Sequence, residues 1–252
     1  MPNFTDGLTK LDYMGIDNIP IHDVEFNGVR VSFFVLGQYS EFRIRTILTK
    51  EPETVNMLST LLPSDCYWDI GANIGLYSLL AASTGANVIS VEPSPSNFYL
   101  LMKNIELNKY ENILALPIGL SDHNGMQIWS PNLEIAHADN QINDTSDKIK
   151  NNAGLIVRSI DSLISDDNIS TPTHMKIDVD GIEDLILLGG QKILKNKKLR
   201  FIQVEVDESS PSAVEITKYI TSLGFSDPIT RHPPYYDNYY YAPIFNYFFS
   251  RS

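Results

Sequence analysis

The stretch Asp69-Ile-Gly-Ala-Asn-Ile-Gly75 sets a carboxylate and two glycines between a short apolar run and a helical pattern. Glycine lets a backbone turn tightly and approach a ligand closely, and a helix start offers unpaired N–H groups to a negative group such as a carboxylate. Asp69, at the head of the turn, is placed to meet the cationic amino group of a bound amino acid. About 20 residues further on, where nucleotide folds carry a ribose-binding acid, the next apolar run ends in Val91-Glu92-Pro-Ser. A carboxylate there accepts hydrogen bonds from a ribose diol, and the two signals together imply a ligand containing adenosine. The spacing Gly71-Ala-Asn-Ile-Gly75 lacks the G-x-G-x-x-G pattern, which argues against an NAD-binding oxidoreductase.

A third group is Lys176-Ile-Asp-Val-Asp-Gly181. If Met175 to Val179 is a parallel strand, its C-terminal end shares a rim with the glycine turn, and ligands bind at such rims. Asp178, Asp180 and Glu183 would then face the reacting part of the ligand, where a carboxylate can orient or deprotonate an acceptor hydroxyl. Two plainer uses stand beside this: Asp178 as the cap of the following helix, and Lys176 as the partner of a neighbouring acid. Of the histidines at 123, 137, 174 and 232, His137 is the preferred base, ahead of a polar segment, although a loop histidine can equally be solvated. No metal is assigned. The alternative would gather His174, Asp178, Asp180, Glu205 and Asp207 around a hard divalent cation.

These groups need a sheet to hold them at one edge. Asn27-Gly28 between Val24–Phe26 and Val29–Val35 predicts a β-hairpin. Pro52, Val55, Leu58, Leu61 and Leu62 predict a helix stopped by Pro63. Strands follow at Cys66–Ile70, Val88–Val91 and Ile113–Pro117, with helices through Leu76–Ala82 and from Pro95 to about Asn108. Further strands are expected at Met175–Val179 and Arg200–Val206, and helices near Ile182–Leu194 and Ala213–Leu223. Such alternation implies a mainly parallel sheet covered on both faces. Ile244–Phe249 reads as a last strand, Asp139–Asn152 as a polar mobile loop, and Tyr235–Tyr241 as a tyrosine-rich loop. Those tyrosines could serve sugar stacking, internal packing or a contact in a homo-oligomer. Residues 1–50 are read as a hairpin extension and 51–252 as the main domain.

The formal net charge of −12 disfavours a nucleic acid partner, because phosphate binding calls for a basic surface. The single cysteine, Cys66, can form neither an internal disulfide nor a thiolate metal cluster, and reads as a buried strand residue. Neither a signal sequence nor a membrane span is evident, so a soluble cytoplasmic protein with a small-molecule acceptor is expected.

At this point the sequence resembles the FkbM family of methyltransferases. The resemblance rests on WDIGANIGLYSLLAA, VEPSPSNFYLLMKNIELN, GLSDHNG, SIDSLI with MKIDVDGIEDLILLGG, and FIQVEVD, in that order between about Glu51 and Asp207. It implies an α/β fold: a Rossmann-like class I methyltransferase sheet with helices on both faces and an antiparallel final strand, here with the hairpin packed over or beside the cofactor rim. It implies S-adenosyl-L-methionine as cofactor, with Asp69, Gly71 and Gly75 around its methionyl part and Asn73 of the same turn in contact. Glu92 would hold the ribose, Ser121 and Asp122 would lie near the adenine, and Asp178 would reach both cofactor and acceptor. Family members commonly have Glu where this chain has the shorter Asp180. The activity implied is O-methylation of a sugar or nucleotide-activated sugar in capsule or other surface-polysaccharide synthesis. Alternative acceptors are a phosphoramidate, an amine or a polyketide hydroxyl, and a reading of a different class is a non-catalytic binding protein.

Overall fold

The computed structural model describes residues 19–130, 134–136, 141–142, 153–179, 181–231 and 243–251. A hairpin, β1 (Ile21–Phe26) and β2 (Val29–Phe34), comes first, with Asn27 and Gly28 both at positive φ in the turn. Helix α1 (Gln38–Lys50) follows, and α2 (Pro52–Ser59) starts directly after Glu51 with proline in its first turn. Strand β3 (Cys66–Ile70) leads through the glycine turn into α3 (Leu76–Ser83), then β4 (Asn87–Val91), α4 (Pro95–Asn108) and β5 (Ile113–Leu116).

After an interruption come β6 (Gly119–Leu120), β7 (Gly125–Ser130), β8 (Gln141–Ile142) and β9 (Ala153–Arg158), which form a small sheet in the order β6-β9-β7-β8. The chain continues with α5 (Ile160–Ser165), β10 (His174–Ile177), α6 (Glu183–Leu188), α7 (Gln191–Lys195), β11 (Phe201–Asp207), α8 (Ser212–Ser222), β12 (Ile229–Arg231) and β13 (Ile244–Ser250).

The large sheet runs β12-β13-β11-β10-β3-β4-β5. Its pairings from β11 through β5 are parallel, while β13 is antiparallel and inserted between β11 and β12. Side-chain alternation divides the core in two. Tyr67 of β3 and Val88 of β4 join the hairpin and α1 to α4 on one face; Trp68, Ile70, Ile89 and Val91 join α5 to α8 on the other. Cys66 is buried there, its thiol pushed up to about 11 by burial, as its strand position predicts.

The structure departs from several expectations. Helix α1 is an additional element in a stretch read only as extension. The small sheet is likewise additional, and Gln141–Ile142 pairs with β7 inside a segment read as loop; the rest of Asp139–Asn152 and the tyrosines at 235–241 lie outside the described residues. The helix expected over Ile182–Leu194 is two helices broken at Gly189-Gly190. There the Ser121 carbonyl oxygen lies 2.1 Å from where a Cβ on Gly189 would stand, so only glycine admits it. Helix α2 ends at Ser59 rather than at Pro63, because Thr60 and Leu61 close it with bonds back to Met57 and Leu58.

The hairpin does not border the pocket. Asn104 and Asn108 of α4 hold β2 instead: Asn104 Oδ1 accepts from Phe34 N at 2.9 Å, and Asn108 bonds both Ser32 N (2.8 Å) and Ser32 O (2.7 Å). The element beside the rim is α1.

Candidate functional site

A pocket opens where the sheet order turns from β3 toward β4 on one side and β10 on the other, the usual ligand crevice of an open α/β sheet. Its empty space, open mouth and adjoining solvent included, is about 420 Å³. Asp69, Gly71, Ala72 and Asn73 line it from the turn, and Leu76 and Tyr77 from α3. Lys176 and Asp178 come from the end of β10. Arg43, Ile47, Lys50 and Glu51 come from α1 and the residue after it.

The turn is held from within. Gly71 adopts φ +83, and a Cβ there would stand 1.9 Å from the Asp178 carbonyl oxygen, so glycine is what lets the turn touch the end of β10. Gly75, at φ +88, would collide with Leu101 and Leu79; it packs the turn against α4 and does not line the pocket. Gly71 N and Ala72 N donate to Val91 O, each at 3.0 Å, and Gly75 N to Ala72 O at 2.8 Å. Asn73 N donates to Glu92 Oε2 at 2.8 Å and Ile74 N to Asn73 Oδ1 at 3.0 Å. The amides from Gly71 to Gly75 are thus all engaged within the chain, and the helix start expected to face an anion is the first turn of α3 at Leu76, where no side chain caps the helix.

Asp69 is buried and accepts from Ser78 Oγ at 2.5 Å, which in turn accepts from Ser90 Oγ at 2.8 Å. Burial raises its carboxyl to about 6 against the pull of Lys176 and Ser78. Glu92 is buried at the tip of β4, with Oε1 accepting from Ser94 N at 2.8 Å. Burial lifts it to about 7, although the backbone donors Ser94 and Asn73 favour its ionised form. It sits one hydrogen bond behind the pocket wall, through Asn73.

Lys176 is the centre of the site and pairs with a neighbouring acid, one of the uses its sequence position offered. Its ammonium is 1% exposed, pairs with Asp178, lies 4.0 Å from Glu51 Oε2, and stands 5.1 Å from the centroid of the Tyr77 ring. Burial works against its charge, but Asp178, Glu51 and Asp69 outweigh it and hold the ammonium above its ordinary range. Burial likewise works against ionised Asp178, yet Lys176 keeps that carboxyl well below the usual range. Asp178 is therefore a fixed negative charge and a weak base, and it does not cap α6, which has no side-chain cap.

Glu51 continues the polar row. Thr54 Oγ1 lies 3.0 Å from its Oε2 and 2.9 Å from Gln203 Oε1, and Gln203 Nε2 reaches Asn246 Oδ1 at 3.0 Å. Among the residues the sequence singled out, the pocket gathers Asp69, Gly71, Asn73 and Asp178. Ser121 and Asp122 lie outside its lining: Ser121 is buried with Oγ donating to Asp122 Oδ1 at 3.1 Å, and the His123 ring, 2.7 Å from the same oxygen, holds Asp122 below its ordinary range. His137, Asp180 and His232 lie outside the described residues.

His174 begins β10, at the opposite end from Asp178, beside Thr173. Among the described residues no three His, Cys, Asp or Glu side chains are placed to hold a metal ion. Sequence reasoning passed over Glu51, Arg43 and Lys50; the one available signal was an acid directly before Pro52.

Residues 69–226 match the Methyltransferase FkbM domain. The chain is 27% identical over 209 residues to the hexuronic acid methyltransferase AglP of Haloferax volcanii, covering 82% of each. Its structure is similar to that of Methyltransferase FkbM from Methylobacillus flagellatus KT, with a TM-score of 0.53 and 18% identity, over 85% of this chain and 56% of that one. Trm5b of Pyrococcus abyssi gives a TM-score of 0.50 at 14% identity, over 93% of this chain and 56% of that one. The chain thus spans little more than half of either solved relative, and these likenesses show the fold.

The donor set suits a sulfonium amino acid joined to adenosine. Carboxylates face the pocket floor, a buried acid stands behind the turn, and the backbone approaches too closely at Gly71 for any side chain. The chain belongs to the FkbM family of methyltransferases, with S-adenosyl-L-methionine as its methyl donor.

Proposed function

We propose that the protein is an O-methyltransferase acting on a hydroxyl of a sugar or nucleotide-activated sugar, in the synthesis of a capsule or other surface polysaccharide. The observation that carries this reading is the Asp178 carboxylate in the lining of the donor pocket, held by Lys176, where an acceptor hydroxyl can be oriented. The hexuronic acid relative supplies the acceptor class.

In this reading Asp69 meets the methionyl ammonium, Gly71 and Asn73 shape the turn around it, and Gly75 supports that turn from behind. Glu92 takes the ribose diol; its carboxylate accepts from Asn73 N, Ser94 N and the Asn97 side chain, and the four accepting positions of a carboxylate leave one for a ribose hydroxyl. Ser121 and Asp122 border the adenine. The bound donor supplies an electrophilic methyl group on sulfur. The chain's part is to align the acceptor oxygen with that methyl, which accounts for much of the acceleration in such displacements, and to take up the hydroxyl proton. Asp178 orients the hydroxyl, while His137 or Asp180 accepts the proton, since a carboxyl held strongly ionised is a poor base.

The test begins with titration of S-adenosylhomocysteine into the protein, with NAD as control and Asp69→Ala and Glu92→Ala in parallel. Binding of the homocysteine compound alone, weakened in both variants, is expected. Transfer from isotope-labelled donor to uronic acid and neutral nucleotide sugars should then give an O-methyl product by NMR. Transfer only to an amine or phosphoramidate nitrogen would overturn the O-methylation reading.

A further inference from the structure

We propose that the inward face of α1 is the anion seat of the donor pocket, where Arg43 and Lys50 receive the α-carboxylate of the methionyl group. This rests on the donor-site reading given above and adds to it the partner that the carboxylate requires.

The need comes from the turn itself. The amides from Gly71 to Gly75 are engaged within the chain, so the turn leaves only the first-turn amides of α3, from Leu76 on, to meet an anion, and these carry partial rather than full charge. Lys176, although it lines the pocket, is already paired with Asp178 and lies 4.0 Å from Glu51 Oε2. A ligand that presents an ammonium to Asp69 brings a carboxylate into the same cleft, and a full positive charge within reach offsets the cost of burying that anion better than backbone amides alone.

Helix α1 supplies that group. Arg43, Ile47 and Lys50 recur at helical spacing on one face, and all three line the pocket. Arg43 Nε donates to the Ala136 carbonyl at 2.7 Å, and Ala136 N donates to Asn97 Oδ1 at 2.7 Å, so the guanidinium plane is tied through two bonds to α4. A planar, fixed guanidinium is the side chain best matched to a carboxylate. The charges also balance by type: Glu51, Asp69 and Asp178 face Arg43, Lys50 and Lys176 around one cleft. Both seat residues lie before Asp69, outside the segment that matches the family domain.

An anionic acceptor, such as a uronic acid, would offer the same carboxylate chemistry, so the experiment has to separate the two sources. S-Adenosylhomocysteine and 5′-methylthioadenosine share the adenosine thioether, but only the first carries the amino-acid group. Both are titrated into wild type, Arg43→Gln, Arg43→Lys and Lys50→Gln, with a thermal melt of each variant.

The expected result is a loss of about tenfold or more in S-adenosylhomocysteine affinity for Arg43→Gln, in keeping with a charge-assisted bond, a smaller loss for Lys50→Gln, partial recovery in Arg43→Lys, and unchanged methylthioadenosine binding. Unchanged S-adenosylhomocysteine affinity in both Gln variants overturns the proposal. So does an equal loss for both ligands, which would place Arg43 against adenosine or in the fold. If only the KM of an anionic acceptor rises, the seat serves the acceptor and the donor assignment is wrong. Failure of wild type to bind either ligand would remove the donor pocket itself, a result distinct from failure of the seat.

Discussion

Glu92 and Asp69 hold protons that the unfolded chain would release, since burial lifts them to about 7 and 6. A carboxyl raised in the folded state contributes stability at low pH and loses that contribution as pH rises through its folded value. His174, lowered to about 4 by burial, works in the opposite sense below the ordinary histidine value of about 6.5. Asp178 acts only in acid, below the ordinary carboxyl value. Above about pH 7, clear of the histidine contribution, the melting temperature of the unliganded protein should fall as pH rises, with Glu205, which burial and Asp178 raise well above its ordinary value, acting in the same direction. Glu92→Gln should reduce that slope without removing it, and a rising melting temperature in wild type would refute the assignment. Titration of S-adenosylhomocysteine at pH 6.5 in buffers of different ionisation enthalpy should show proton release, because the ribose donors favour ionised Glu92. Gly71→Ala should lower the melting temperature and abolish that binding, since its methyl would have to displace the Asp178 carbonyl. Lys176→Met leaves buried acids without their cation and should cost roughly 3–5 kcal/mol by urea denaturation.

Between elements, the side chains of α4 act as an extra edge for the hairpin. Asn108 bonds both the N–H and the carbonyl of Ser32, and Asn104 links Phe34 N to Ile74 O of the glycine turn at 2.9 Å on each side. Asn104→Ala should destabilise the chain by about 1–3 kcal/mol, the cost of leaving buried groups unpaired, and weaken S-adenosylhomocysteine binding through Ile74. Urea denaturation and titration of one variant check both. The parallel strands, α3 and α4 were legible in sequence because apolar periodicity and the prolines at 52 and 95 are local signals. Helix α1 was not: it starts after Gly37 without a side-chain cap to N2 or N3 and is rich in β-branched residues. The break at Gly189 was hidden because its cause is a carbonyl at Ser121, remote in sequence. The site divides in the same way. Asp69, Gly71, Glu92 and Asp178 sit in motifs with their own spacing, whereas Arg43 and Glu51 become site residues only when α1 folds over the strand ends.

At the scale of the molecule, the charge of −12 should keep nucleic acid away. Fluorescence anisotropy with labelled tRNA at about 0.15 M salt, a Debye length of about 8 Å, is expected to show no micromolar association. The large sheet carries its cores on both faces, and its pocket sits where the order of strands turns, so helices on either side steady the site. The placement of β13 has a further consequence, for the ribosome rather than the finished protein. Strand β11 ends at Asp207, but the neighbour that covers its outer edge begins only at Ile244, and among the described residues β12 pairs with β13 alone. At roughly 5–20 residues per second, the growing chain carries that bare, Val-rich edge for a few seconds of each synthesis. Slowing translation between those two positions lengthens the interval in which nascent chains can join edge to edge.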